Sequence, residues 1–130
     1  METGCKKPVV LIVDDEPDIC EMLAKILSGE GYVVNITDSG KGAVKKVMDG
    51  CADIVLLDIV MPGQNGIETL RQIKAVQPDL PVVMITAFGT LTTVQEALKF
   101  GAFDYITKPF DIECVKEVIK QRLEERRICL

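Results

Sequence analysis

Ile54-Val55-Leu56-Leu57-Asp58, followed at once by Ile59-Val60-Met61-Pro62-Gly63-Gln64-Asn65-Gly66, decides how the rest of the chain is read. Four successive apolar residues with no polar alternation read as a strand buried on both faces, as in a parallel sheet covered by helices. The run ends on a carboxylate, and a charge inside such a strand is costly unless it is paired or bound to metal. Asp58 therefore belongs at the rim of the sheet, where the strand gives way to a loop rich in Pro, Gly and Asn. By itself an Asp there is more often a turn former or a helix cap than part of a site. The other strands decide between those readings.

Upstream, Val9-Val10-Leu11-Ile12-Val13 is a second fully apolar run, stopped by Asp14-Asp15-Glu16 and Pro17. Pro is tolerated at a helix start because its missing N–H has no partner there. Ile19, Met22, Leu23, Ile26 and Leu27 then form a helical stripe that Gly29 or Gly31 ends. Val33–Thr37 is a more mixed strand suited to a sheet edge, and Asp38-Ser39 caps a helix carrying Ala43, Val44, Val47 and Met48. Downstream, a helix with Ile67, Leu70 and Ile73 inward precedes the buried strand Val82–Thr86. A helix with Leu91, Val94, Ala97 and Leu98 then ends at Gly101. Phe103–Thr107 is the fifth strand, closed by Lys108-Pro109, and Asp111 caps a last helix with Val115, Val118, Ile119 and Leu123 on one face.

Strand and helix thus alternate five times, which implies α/β architecture with right-handed crossovers and helices on both faces of a parallel sheet. Five units are too few for an eight-stranded barrel. The expected fold is an open, doubly wound, flavodoxin-like sheet of order 2-1-3-4-5. One domain spans 9–125, with a tail at 1–8 and a tail or the start of a linker at 126–130.

Composition narrows the function. A chain of 130 residues, 48% hydrophobic and 27% charged, is an ordinary globular domain. Its net charge of -5 argues against a general nucleic-acid-binding surface. The complete lack of His excludes a histidine base, ligand or phosphohistidine carried by this chain. Cys5, Cys20, Cys51, Cys114 and Cys129 show neither a C-x-x-C pair nor metal-ligand spacing, and read as free, mostly buried thiols in a reducing cytoplasm. The apolar run 9–13 is too short for a signal sequence or a membrane span.

In an open α/β sheet, ligands bind beyond the carboxyl ends of the strands where strand order reverses, here between strands one and three. Those ends carry Asp14-Asp15 with Glu16, Asp58, Thr86 and Lys108. Clustered carboxylates repel, and a hard divalent cation such as Mg²⁺ relieves the repulsion. One carboxylate can then act as a nucleophile toward phosphorus, with the lysine and the hydroxyl stabilising the phosphoryl oxygens. Each residue alone has an ordinary structural explanation; their coincidence at four strand ends does not.

Taken together, Val-Asp14-Asp15-Glu, Leu-Leu-Asp58-Ile-Val-Met-Pro62-Gly with Gly66, Ile-Thr86-Ala87 and Asp104-Tyr105-Ile-Thr-Lys108-Pro109-Phe resemble the receiver domains of two-component response regulators. The resemblance covers nearly the whole chain. It implies that Asp58 accepts a phosphoryl group from the phosphohistidine of a sensor histidine kinase. It also implies Mg²⁺ (or Mn²⁺) held by Asp15 and Asp58, by Asp14 through water, and by the backbone carbonyl of Val60. Thr86 and Tyr105 would be the switch pair, Lys108 the phosphoryl-binding lysine, and the Lys108–Pro109 peptide cis. The face made by helix four, strand five and helix five would then engage an output domain, a downstream target or a second copy. Such a domain catalyses only its own phosphorylation and dephosphorylation, binds neither nucleic acid nor membrane itself, and works in the cytoplasm. Apolar Val60 and Phe88, where many relatives carry polar residues, imply slow self-dephosphorylation.

Three other classes fit less well. A haloacid-dehalogenase-type phosphohydrolase needs a second acid where Val60 stands. A nucleotide- or flavin-binding module needs a glycine-rich phosphate loop after strand one. A phosphate-independent interaction domain has no use for Asp14, Asp15, Asp58, Thr86 and Lys108 together.

Overall fold

The computed structural model describes residues 7–61, 64–86, 91–108 and 111–128, with the backbone alone at 60–61, 64, 86, 91–94 and 125–128. Its elements run β1 (Val9–Val13), α1 (Pro17–Gly29), β2 (Val33–Thr37), α2 (Gly40–Met48), β3 (Ile54–Asp58), α3 (Gly66–Val76), β4 (Val82–Thr86), α4 (Leu91–Lys99), β5 (Asp104–Thr107) and α5 (Ile112–Ile128). The five strands are parallel in the order β2-β1-β3-β4-β5, as the alternating pattern requires. Between β3 and α3 lies an antiparallel ladder that periodicity did not reveal, Val60–Met61 against Gln64–Asn65. Two-residue strands are too short to carry an alternation signal.

The apolar runs supply both faces of the sheet because successive side chains point opposite ways. Leu11, Val13, Val55, Leu57, Val82 and Met84 pack on one face with Ala43 and Val47 of α2, Ile67, Leu70 and Ile73 of α3, and Ala97 of α4. Val10, Ile12, Ile54, Leu56, Val83 and Ile85 pack on the other with Cys20, Leu23 and Leu27 of α1 and Val115, Ile119 and Leu123 of α5. Completely burying one such Leu or Ile contributes about 1.5–3 kcal/mol, so loss of alternation in a single strand would strip both layers.

The helical stripes are narrower than the sequence suggests. Met22, Met48 and Leu98 are exposed, although each falls within an apolar stripe. A helix lying on a sheet buries a limited arc; in α1 it is centred on Cys20, Leu23 and Leu27, and Met22 lies well round from it. The thiols also depart from expectation: Cys20 is buried, Cys51 half-buried and Cys114 exposed, while Cys5 and Cys129 lie outside the described residues.

Helix ends follow local chemistry. Gly31, with φ 96°, turns the chain out of α1, and its N–H donates to the Ser28 carbonyl. Ser39 Oγ accepts the Gly42 N–H at 3.0 Å to cap α2. The last helix runs to Ile128. No helix among the described residues is long and apolar enough to cross a membrane.

Candidate functional site

Strand register gathers the acids. Val13 lies beside Leu57, so one step further along the chain Asp14 reaches the level of Asp58. Asp58 in turn is level with Ile85, and Ile85 with Ile106, so Lys108 follows two residues beyond that line. Backbone hydrogen bonds carry the ladder up to the rim: Asp14 N–H donates to the Thr37 carbonyl at 3.2 Å, and Ile59 N–H to the Ile85 carbonyl at 3.0 Å.

Lys108 Nζ stands among three carboxylates, donating to Glu16 Oε1 at 2.7 Å, Asp14 Oδ2 at 3.2 Å and Asp58 Oδ2 at 3.4 Å. Asp14 and Asp58 are buried, at 2% and 4% side-chain exposure, whereas Glu16 is 54% exposed. Burial by itself would lower the pKa of the Lys108 ammonium. The hydrogen bond to Glu16 and the charges of Asp58 and Asp14 outweigh it and hold the pKa above the ordinary lysine value. Lys108 is therefore a permanent cation at any physiological pH.

Asp14, Glu16 and Asp58 each offer a carboxylate oxygen within 4.8 Å of the others. Three carboxylates and one ammonium leave a charge of -2 in this cluster (−3 + 1), which one divalent cation balances. The donors are all hard oxygens, the set that Mg²⁺ and Mn²⁺ prefer. The residues therefore fit a hard divalent ion.

Asp15 is not part of this cluster. It lies with Asp14 and Asp38 along a groove of about 660 Å³ between α1 and the carboxyl end of β2. Val60 belongs to the short ladder after β3, and Thr86 is the last residue of β4, paired with Thr107. Tyr105 is 43% exposed on β5, its N–H donating to Asp104 Oδ1 at 2.8 Å. Pro62, Phe88 and Pro109, and with Pro109 the expected cis peptide, lie outside the described residues.

Two residues gain roles that their place in the sequence did not assign: Glu16, expected only as a third acid after the first strand, and Asn65. Glu16 makes the shortest bond to Lys108 across 92 residues of chain, a pairing that no local pattern could flag. Asn65 caps α3, its Oδ1 accepting the Ile67 N–H at 2.9 Å and the Glu68 N–H at 3.4 Å. That cap fixes where the loop after Asp58 ends. Gly66 then packs against the loop's own beginning: its N–H donates to the Ile59 carbonyl at 3.2 Å. A Cβ there would stand 2.6 Å from Ile59 Cα and O and 2.9 Å from the Asp58 carbonyl.

Cys20 sits beneath the site, its Sγ donating to the Asp14 carbonyl at 3.5 Å. Burial first, and the Asp14 charge second, push its pKa up to about 11, so it stays a thiol and is a poor nucleophile.

An open parallel sheet of this strand order, with three carboxylates that could hold a metal ion and one lysine on its carboxyl rim, defines the class as a flavodoxin-like α/β domain. The response regulator receiver domain model matches residues 10–120, and the chain belongs to that family. It is 40% identical over 118 residues to the transcriptional regulatory protein ZraR of Salmonella typhimurium, covering 91% of this chain and 27% of ZraR. It is 38% identical to the nitrogen assimilation regulatory protein NtrX of Azorhizobium caulinodans over 92% of this chain and 27% of NtrX. The chain thus spans about a quarter of the length of these relatives. Among solved structures, a CheY-like receiver domain from Methanospirillum hungatei superposes with a TM-score of 0.90 at 30% identity, covering 94% of this chain and 98% of that one. The receiver domain of NtrX from Brucella abortus gives 0.82 at 38% identity, covering 88% and 98%.

Proposed function

We propose that this chain is a phosphorylation-dependent signalling switch in which Asp58 receives a phosphoryl group from the phosphohistidine of a sensor histidine kinase. The observation that carries this reading is the Lys108 ammonium, held between buried Asp14 and Asp58 at the carboxyl rim of the sheet. A buried carboxylate at a strand end with a permanent cation beside it is built to gather further negative charge.

In the transfer, an Asp58 oxygen attacks phosphorus, the phosphorus–nitrogen bond of the donor breaks, and its electron pair returns to the imidazole. Lys108 and the Thr86 hydroxyl take up the phosphoryl oxygens as charge accumulates on them. Asp14, Asp15, Asp58 and the Val60 carbonyl are the ligands we assign to Mg²⁺ or Mn²⁺, with Glu16 within reach of the same cluster. The metal when bound supplies charge neutralisation at the phosphoryl oxygens.

The output is a change of surface. Thr86 moves toward the phosphoryl group, and Tyr105 turns inward from its exposed position, altering the α4–β5–α5 face. That face engages an output domain, a downstream target or a second copy of the chain. Relatives named as transcriptional regulators favour an output in transcription, carried by chain other than this domain. The setting is the cytoplasm, where sensor kinases present their phosphohistidine, and the chemistry is confined to the domain's own phosphorylation and dephosphorylation.

Acetyl phosphate with Mg²⁺, followed by intact mass, tests the proposal. The wild-type chain gains one phosphoryl group and Asp58→Ala gains none. Equal incorporation in the two, or none in the wild type, refutes it.

A further inference from the structure

The Lys108 ammonium has three N–H donors, and in this structure each has a carboxylate: Asp14, Glu16 and Asp58. A phosphoryl oxygen arriving at Asp58 therefore finds no unoccupied donor, and one existing bond must break. The three bonds differ in what breaking them costs. Asp14 is buried and would be left as an uncompensated charge. Asp58 is the residue being modified and remains in the site. Glu16, more than half exposed, can be rehydrated as it lets go.

The backbone of Glu16 is already fixed by other bonds. Its N–H donates to Asp14 Oδ1 at 3.0 Å, and its carbonyl accepts the Cys20 N–H at 3.1 Å in the first turn of α1. Glu16 occupies the N-cap position of α1, yet its side chain makes no capping hydrogen bond and crosses to Lys108 instead. The side chain is thus a tether between the start of α1 and the end of β5.

We propose that Glu16 is a latch on Lys108: it holds the ammonium while Asp58 is bare and must release it before Lys108 can take a phosphoryl oxygen. This rests on the reading that Lys108 binds the phosphoryl group. Glu16 then sets the threshold of the switch as a positioning residue, without touching the reacting atoms.

Beryllofluoride with Mg²⁺ serves as the probe, titrated into the 130-residue chain and followed by backbone amide shifts. Lysine labelled with ¹³C at Cε, with Lys108 assigned through Lys108→Arg, reports the ammonium directly. Glu16→Gln keeps the shape and removes the charge; because an exposed ion pair is a weak one, the variant binds beryllofluoride about two- to fivefold more tightly. Before any beryllofluoride is added, the Lys108 Cε signal of the variant is displaced from its wild-type position, as loss of the Glu16 bond requires. Asp18→Asn, which removes a charge from the same helical turn, controls for charge alone and leaves both readouts at wild-type values.

Equal tightening in Asp18→Asn and Glu16→Gln, no tightening in Glu16→Gln, or an unmoved Lys108 Cε signal in Glu16→Gln overturns the latch while the phosphoryl site stands. If wild type ignores beryllofluoride, or Asp58→Ala binds it equally well, the reading of the site falls and the latch with it.

Discussion

Replacing Gly66 by Ala tests how tightly the loop after Asp58 is built. The added Cβ would stand 2.6 Å from Ile59 Cα and O, and 2.9 Å from the Asp58 carbonyl. Ordinary carbon contacts lie near ~3.5–4.0 Å, so about 1 Å of room must be made. All the colliding atoms are backbone, and no side chain can swing aside. Overpacking of this kind costs about 1–3 kcal/mol, and Ala in place of Gly in a helix returns at most ~0.5–1 kcal/mol. The net loss expected is thus centred near ~1 kcal/mol, within a range of about 0–2.5 kcal/mol. With a urea m value of roughly 2 kcal/mol per M, the unfolding midpoint falls by about 0.5 M. Gly29→Ala is the matched comparison: it is also helical, but nothing lies within 4 Å of its added methyl. That variant unfolds at or above the wild-type midpoint. The clash falls on the Asp58 and Ile59 backbone, so if Asp58 and the Val60 carbonyl hold Mg²⁺ as proposed, Mg²⁺ raises the thermal midpoint of Gly66→Ala less than that of wild type. A Gly66→Ala protein with an unchanged urea midpoint and a full Mg²⁺ response would refute the reasoning, because the contacts would then relax without cost.

Three further outcomes are expected. The raised Lys108 pKa makes its contribution to stability fully present below the ordinary lysine pKa and lost only as pH rises beyond it, so the urea-midpoint gap between wild type and Lys108→Ala stays constant between pH 7 and 9, and a gap that changes across that range contradicts it. With iodoacetamide at pH 8 and peptide mapping, exposed Cys114 is alkylated in the native state, while Cys20, with its pKa pushed up to about 11, reacts only on unfolding. Asn65→Ala removes the acceptor of two α3 N–H groups and lowers stability by about 1 kcal/mol, visible in chemical denaturation; Asn65→Asp retains it.

Much of this molecule is legible from local pattern. The runs Val9–Val13, Ile54–Asp58 and Val82–Thr86 could only be strands buried on both faces, and both packed layers of the sheet follow from their alternation. Strand order follows from counting five units and from the handedness of crossovers. The places where pattern misleads are quantitative. Periodicity shows that a helix has an apolar stripe but not how wide an arc its neighbours cover, and Met22, Met48 and Leu98 fall outside it.

The sequence by itself determines which residues reach the rim, because a strand's last residue is a matter of chain order. Asp14, Asp58 and Lys108 are all placed there by the ends of their strands. Which of the neighbouring acids turns inward is another matter. Asp15 and Glu16 are adjacent in sequence and equal in charge, yet Glu16 meets Lys108 and Asp15 faces the groove beside α1. That choice depends on the angle at which α1 leaves β1 and on where β5 ends, a relation spanning 92 residues. Gly66 is similar: in the sequence it is one glycine of a turn-rich loop, and only the folded loop brings the Asp58–Ile59 backbone against it and leaves no room for a side chain. Side-chain direction and close backbone approach are set by packing between elements distant in the chain, and local chemistry carries no record of them.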